Sequence, residues 1–184
     1  MGNFNKIFRV CDNISLWSGK TIGWLVIPMM LALVYEVFAR YFFNSPTIWA
    51  YDITFMLYGT HFMIGAAFTL LKKGHVRTEF IYQHLRPKWQ GLIDSLFYLL
   101  CFFPGLIIFF FVAIKYAQKS WILNERMVSS TWMPLIYPLK TMIPIGIGLL
   151  IIQGISELRK SIYAVRNDSI FPEELESAGE GHDI

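Results

Sequence analysis

Residues 53–71 read ITFMLYGTHFMIGAAFTLL, nineteen positions without one Asp, Glu, Lys or Arg. At about 1.5 Å of rise per residue, a helix of this length reaches about 28 Å, close to the roughly 30 Å hydrocarbon core of a bilayer. Residues 95–114, SLFYLLCFFPGLIIFFFVAI, repeat the pattern over twenty positions. These runs lie inside larger apolar stretches, 48–71 and 92–116, and two more stretches, 21–43 and 133–158, flank them. The flanking pair carry charges, Glu36 and Arg40 in one and Lys140 in the other. Helices that are apolar all round have no face to give to water. The chain therefore reads as an all-α integral membrane protein with four transmembrane helices.

Composition supports this class. Charged residues make up 16% of the 184, below the roughly 25% of soluble domains, and hydrophobic residues make up 55%. Four spans occupy about half the chain and leave no room for a soluble domain. The expected organisation is an N-terminal cytoplasmic or interfacial segment over 1–20, a membrane domain over 21–158 and an acidic cytoplasmic tail over 159–184. Cys11 and Cys101 form no C-x-x-C pair and imply neither a disulfide framework nor thiol redox chemistry. The N-terminal segment lacks the form of a cleavable signal, because the first apolar run is too long for one and no A-x-A site follows it.

Orientation follows from the basic residues of the connectors. Lys6, Arg9 and Lys20 precede the first span; Lys72, Lys73, Arg77, Arg86 and Lys88 join the second to the third; Arg159, Lys160 and Arg166 follow the fourth. Only Lys115, Lys119 and Arg126 lie on the opposite side, eleven against three. Both termini are thus expected in the cytoplasm. Trp17, Trp24, Trp49, Trp89, Trp121 and Trp132 all fall near the expected span ends, where indole rings favour the headgroup zone. A basic cytoplasmic face suits anionic membrane lipids, and nucleic-acid binding has no separate support.

Two segments have the pattern of surface helices. Phe4, Ile7, Phe8, Cys11 and Ile14 share one helical face, which fits either an interfacial helix or a cytosolic extension of the first span. Between spans two and three, Val76, Phe80, Ile81 and Leu85 repeat in the same way before Pro87, giving a short interfacial amphipathic helix. Pro28, Pro104, Pro138 and Pro144 are expected to kink their helices, and Gly146 and Gly148 to permit close helix approach.

Charges inside lipid are costly and mark function or tight pairing. Glu36 and Arg40 stand four apart on one helix face and can pair. A tight connector through Asn44, Ser45 and Pro46 delivers Trp49 and Asp52 to the start of span two, within expected reach of Arg40. Such a cluster locks two helices together or forms a cation or substrate site. As its one base, Arg40 is expected to matter more for assembly than either acid. Lys140 is expected to extend outward to the surface. His61, in mid-span, fits a bond to a neighbouring helix, a proton relay or a haem ligand. Gly74, His75 and Arg77 form a turn after span two, with Gly74 suited to end the helix. The sequence holds no phosphate-binding glycine loop, no H-E-x-x-H metal pattern and no serine nucleophile elbow, so neither catalytic residues nor a cofactor are expected.

Taken together, Glu36-x-x-x-Arg40-Tyr41, Trp49-x-x-Asp52 and Gly74-His75-Val76-Arg77-x-Glu79, in this order on a four-span layout, resemble the small membrane subunit of tripartite ATP-independent periplasmic (TRAP) transporters over about residues 15–160. Glu79 stands where that family often has Asp. The resemblance implies a bacterial inner-membrane subunit with two protein partners, a large multi-span transport subunit driven by a sodium gradient and a periplasmic solute-binding protein delivering an organic acid or related solute. It implies a scaffolding role for this chain, with Glu36, Arg40, Tyr41, Trp49, Asp52, Gly74, His75 and Arg77 in the structural and partner-facing set. A free-standing oligomeric carrier or channel built on Glu36, Arg40 and Asp52, and a redox anchor using His61, are the competing readings.

Overall fold

The computed structural model describes residues 2–72 (side chains from residue 10), 86–128 and 130–167. Among the described residues six α-helices follow one another: α1 (Gly2–Gly23), α2 (Val26–Tyr41), α3 (Ala50–Leu71), α4 (Pro87–Phe97), α5 (Phe103–Ile122) and α6 (Tyr137–Asn167), with a π-helical turn at Tyr98–Phe102 joining α4 to α5. They make four helical segments long and apolar enough to cross a membrane: Val10–Tyr41, Ala50–Leu71, Pro87–Ile122 and Tyr137–Asn167. The four-span, all-helical expectation is met.

Proline places the two interruptions. Pro28 has no N–H to offer the Trp24 carbonyl, and its ring crowds that carbonyl. One turn earlier the chain tightens to three-residue bonds, Trp24 N–H to the Thr21 carbonyl at 3.2 Å and Leu25 N–H to that of Ile22 at 3.0 Å, and α1 gives way to α2. Pro104 likewise cannot bond Leu100, and the helix just before it widens so that Phe103 N–H reaches the Tyr98 carbonyl. The other two prolines do not break their helix. Pro138 sits in the first turn of α6, where backbone N–H groups have no helical partner to lose, and α6 stays helical through Pro144.

α6 is the centre of the bundle: α3, α4 and α5 all pack on it, as does part of α1, while α1 and α2 pack on α3. Connectors 42–49 and 123–136 share one end, here the loop end; the start of α1 and the finish of α6 share the other, the terminal end. His61 in the middle of α3 bonds the Ile22 carbonyl, which fixes the level of the first span. That span therefore extends further toward the N-terminus than the apolar window 21–43 suggests. Trp24 follows into mid-bundle rather than a span end, and it is 70% exposed there.

Close approach of α3 to α6 depends on Gly146. A Cβ there would lie 2.5 Å from the Met63 carbonyl oxygen and 2.8 Å from its carbon, both backbone atoms that cannot step aside. At Gly148 a Cβ would meet only Phe110, at an ordinary 3.7 Å. Of the two glycines picked out by sequence, Gly146 alone sits at a backbone crossing. Gly146→Ala is expected to lower stability in detergent by about 1–3 kcal/mol, the usual cost of forcing atoms into a packed contact. Gly148→Ala is expected to change it little, and thermal unfolding of the two purified variants makes the comparison.

Candidate functional site

At the loop end, α2 brings Glu36 and Arg40 together one turn apart. Arg40 donates from Nε at 3.0 Å and from Nη2 at 2.5 Å to Oε1 of Glu36. The second carboxylate oxygen accepts the Thr47 backbone N–H at 2.8 Å and the Thr47 hydroxyl. The chain reaches Thr47 because Asn44 adopts the left-handed conformation (φ 49°), which Asn tolerates better than most residues, and turns the backbone through Pro46. Glu36 thus fastens the connector to α2. Beside it Tyr35 stacks on Trp49 with ring centroids 5.7 Å apart, and Tyr35, Ala39, Phe43, Pro46, Thr47 and Trp49 line an open groove of about 400 Å³. Tyr41 projects fully from the end of α2.

Asp52 takes a different partner from the one its sequence position suggests. In the first turn of α3, where a carboxylate meets the favourable end of the helix dipole, it is buried (4% exposed) and accepts the Ser130 hydroxyl. The Ser130 oxygen in turn accepts the Trp132 N–H at 3.1 Å. The expected Glu36–Arg40–Asp52 cluster is therefore two separate ties. Arg40 is satisfied by Glu36 on its own helix, while the Asp52 side of α3 looks toward connector 123–136. Arg40 is not the common counter-charge of both acids.

A third tie lies in a region the sequence reading left almost empty. Lys140 in α6 does not extend outward. It is buried, donates to Glu125 Oε2 at 2.5 Å, and has its ammonium 4.0 Å from the centre of the Tyr116 ring. Trp121 adds a bond from Nε1 to the Thr141 hydroxyl at 2.8 Å. Within the connector, Met127 N–H bonds the Pro134 carbonyl at 2.9 Å and Ile136 N–H that of Glu125 at 3.0 Å, folding it back on itself. Glu125 and Lys140 stand fifteen residues apart across a turn, a separation that no helical period reveals.

At mid-bundle, His61 Nδ1 lies 3.1 Å from the Ile22 carbonyl. A carbonyl only accepts, so this nitrogen carries the proton and the ring serves as a helix-to-helix donor. The Ile22 carbonyl, which also accepts the Leu25 N–H in the three-residue turn of the α1–α2 break, supplies the acceptor.

The terminal end holds a largely buried polar network. Asp12 Oδ1 of α1 accepts Gln153 Nε2 at 3.0 Å and the Ser156 hydroxyl at 2.8 Å from α6. Lys160 lies 3.6 Å from Asp12 Oδ2 and 2.7 Å from Glu157 Oε1, and Gln153 also reaches Glu157 at 3.3 Å. The signal for this network was present: Gln153, Ser156, Glu157 and Lys160 recur at three- and four-residue steps, a polar stripe on one face of an apolar helix. Gly74, His75 and Arg77, and the surface helix expected over 76–85, lie outside the described residues.

Four apolar spans whose inner polar groups bond one another define a polytopic helical membrane protein. Residues 29–163 match the family model described as "Tripartite ATP-independent periplasmic transporters, DctQ component". This covers well over half the chain, and the protein belongs to that family: it is a small membrane subunit of the TRAP transporter type, a multi-pass protein of the inner membrane. None of the curated proteins matches it.

Two outcomes test this geometry. In double-mutant cycles on unfolding in detergent, Asp52→Ala and Ser130→Ala are expected to couple by about 1.5–3 kcal/mol, the range of a hydrogen bond to a charged group, and Asp52→Ala and Arg40→Ala by almost nothing. The second concerns pH. The hydrogen bond from Lys140 holds the Glu125 carboxyl below its usual range. A lowered folded value means that the tie stabilises fully above the ordinary carboxylate range and is lost as pH falls through the depressed one. The melting-temperature advantage of the native chain over Glu125→Gln is expected to persist at neutral pH and to disappear only on strong acidification.

Proposed function

We propose that this chain is the scaffold of a TRAP-type secondary transporter: it transports nothing itself and holds a large, sodium-coupled membrane subunit that takes up an organic acid or related solute handed over by a periplasmic binding protein. The observation that carries the reading is how its intramembrane charges are used. Glu36 with Arg40 and Thr47, Asp52 with Ser130, Glu125 with Lys140, and Asp12 with Ser156 and Lys160 each tie one part of the chain to another. Carboxylates committed to internal ties suit a rigid support, whereas a carrier has to release and rebind ions or solute at such groups.

In this reading both termini are cytoplasmic, as the basic connectors favour, and the loop end faces the periplasm. Glu36, Arg40 and Asp52 keep that end in shape, and Tyr41 and Trp49 are offered to a partner there. Gly74, His75 and Arg77 meet the large subunit or lipid headgroups on the cytoplasmic side.

The test is uptake into liposomes under a sodium gradient. Vesicles holding this chain alone are expected to accumulate no solute with its binding protein present, and vesicles holding it together with the large subunit are expected to do so. Sodium-driven uptake by the chain alone overturns the scaffold reading.

A further inference from the structure

One face of α3 is left open by the rest of the chain. α6 meets it along Gly59 and Met63, the residues opposite Leu139 and Gly146, and α1 meets it along His61 and Phe68, opposite Ile22 and Gly19. Between these two contact lines, at the spacing of one helical stripe, run Tyr51, Phe55, Tyr58 and Phe62, all exposed. The stripe continues to Gly65, where a Cβ would meet nothing within 4 Å.

Tyr58 is the informative member. It lies one turn from His61, and thus about 12 Å into a helix about 33 Å long, deep in the zone that hydrocarbon occupies. It is 56% exposed, and its hydroxyl has no hydrogen bond among the described residues. Trp24, beside Ile22 at nearly the same level, exposes its indole in the same way. Tyrosine and tryptophan facing lipid concentrate at the membrane boundaries, where water and headgroups serve their polar tips. Acyl chains offer no acceptor, and leaving a donor unserved among them is costly. The α5 surface at Ile107, Ile108 and Val112, by contrast, exposes hydrocarbon side chains and suits lipid.

We propose that the open stripe of α3 is the seat of a transmembrane helix of the large subunit, which accepts a hydrogen bond from the Tyr58 hydroxyl at mid-membrane and packs close to the backbone at Gly65. The complementarity is polar and steric together: a donor that needs a protein acceptor, above a hollow that a helix ridge fills and a disordered chain fills less well. This rests on the reading that a large membrane subunit is the partner.

The experiment is photo-crosslinking in the native membrane, with benzoylphenylalanine at position 55 or 62 of the tagged chain and at 108 as the lipid-facing baseline, followed by purification in mild detergent. Positions 55 and 62 are expected to trap a larger membrane protein that co-purifies with the chain. Tyr58→Phe, which removes one oxygen and leaves the ring, is expected to lower the recovered partner about threefold, the effect of one interhelical hydrogen bond in a membrane, with the amount of the chain itself unchanged. Gly65→Leu is expected to lower it further by filling the hollow. If the partner co-purifies but 55 and 62 trap only lipid or a second copy of the chain, and Tyr58→Phe leaves its recovery unchanged, the inference is overturned while the scaffold reading stands. If no large membrane partner co-purifies at all, both fall.

Discussion

The contact between Asp12 and α6 closes the chain on itself. It fastens the first helix to the last, across more than 140 residues. A carboxylate at this depth is tolerable only because Gln153, Ser156 and Lys160 converge on it. Removing Asp12 leaves Gln153 and Ser156 buried without this acceptor, which costs about 1–3 kcal/mol. The network therefore also fixes rotation: only one face of α6 carries these side chains, so the faces that it turns to α3, α4 and α5 follow. Once α6 is oriented, Gly146 meets the backbone of Met63 and Gly91 meets the α6 backbone at Ser161.

The depth of the polar groups has a physical order. Ile22 and His61 mark the middle. Asp12 lies ten residues toward the terminal end, about 15 Å at helical rise, and Glu36 lies fourteen residues toward the loop end, about 21 Å on the same measure. These two ion-pair groups thus sit toward the two edges of a core about 30 Å thick, where water lowers the cost of charge, and the His61 imidazole lies between them. The loop end is fixed by three ties that share no atoms. Glu36 holds connector 42–49 to α2, Asp52 holds Ser130, and Lys140 holds Glu125. With partners of their own, these ties can be lost singly, which explains why the loop end does not rest on Arg40 alone.

The number and approximate limits of the spans were legible because hydrocarbon imposes a simple requirement on sequence, some twenty consecutive apolar residues. The Glu36–Arg40 pair was legible because a four-residue step is a local property of a helix. Asp52 with Ser130 and Lys140 with Glu125 were not, because those pairings depend on how a connector folds back between spans, and nothing periodic records it. Proline in sequence does not by itself mark a break: Pro28 and Pro104 interrupt helices, while Pro138 stands where no backbone bond is lost. The polar stripe of α6 is legible too, because Gln153, Ser156, Glu157 and Lys160 recur at helical steps within an apolar run.

A membrane helix apolar all round gives no direction of its own, and hydropathy cannot say which side meets lipid and which meets protein. Direction comes instead from the few polar atoms that hydrocarbon cannot serve. Where the chain supplies their partners, as for His61, Asp52 and Asp12, the atoms specify the internal packing. Where it does not, as for the hydroxyl of Tyr58 and the indole of Trp24, the same rule points outward, to a neighbour that brings the acceptor. For a subunit of a multi-part transporter this division is informative. The internal ties help the bundle to hold one shape under load, and exposed donors at mid-membrane mark where that shape can be joined to the part that moves solute.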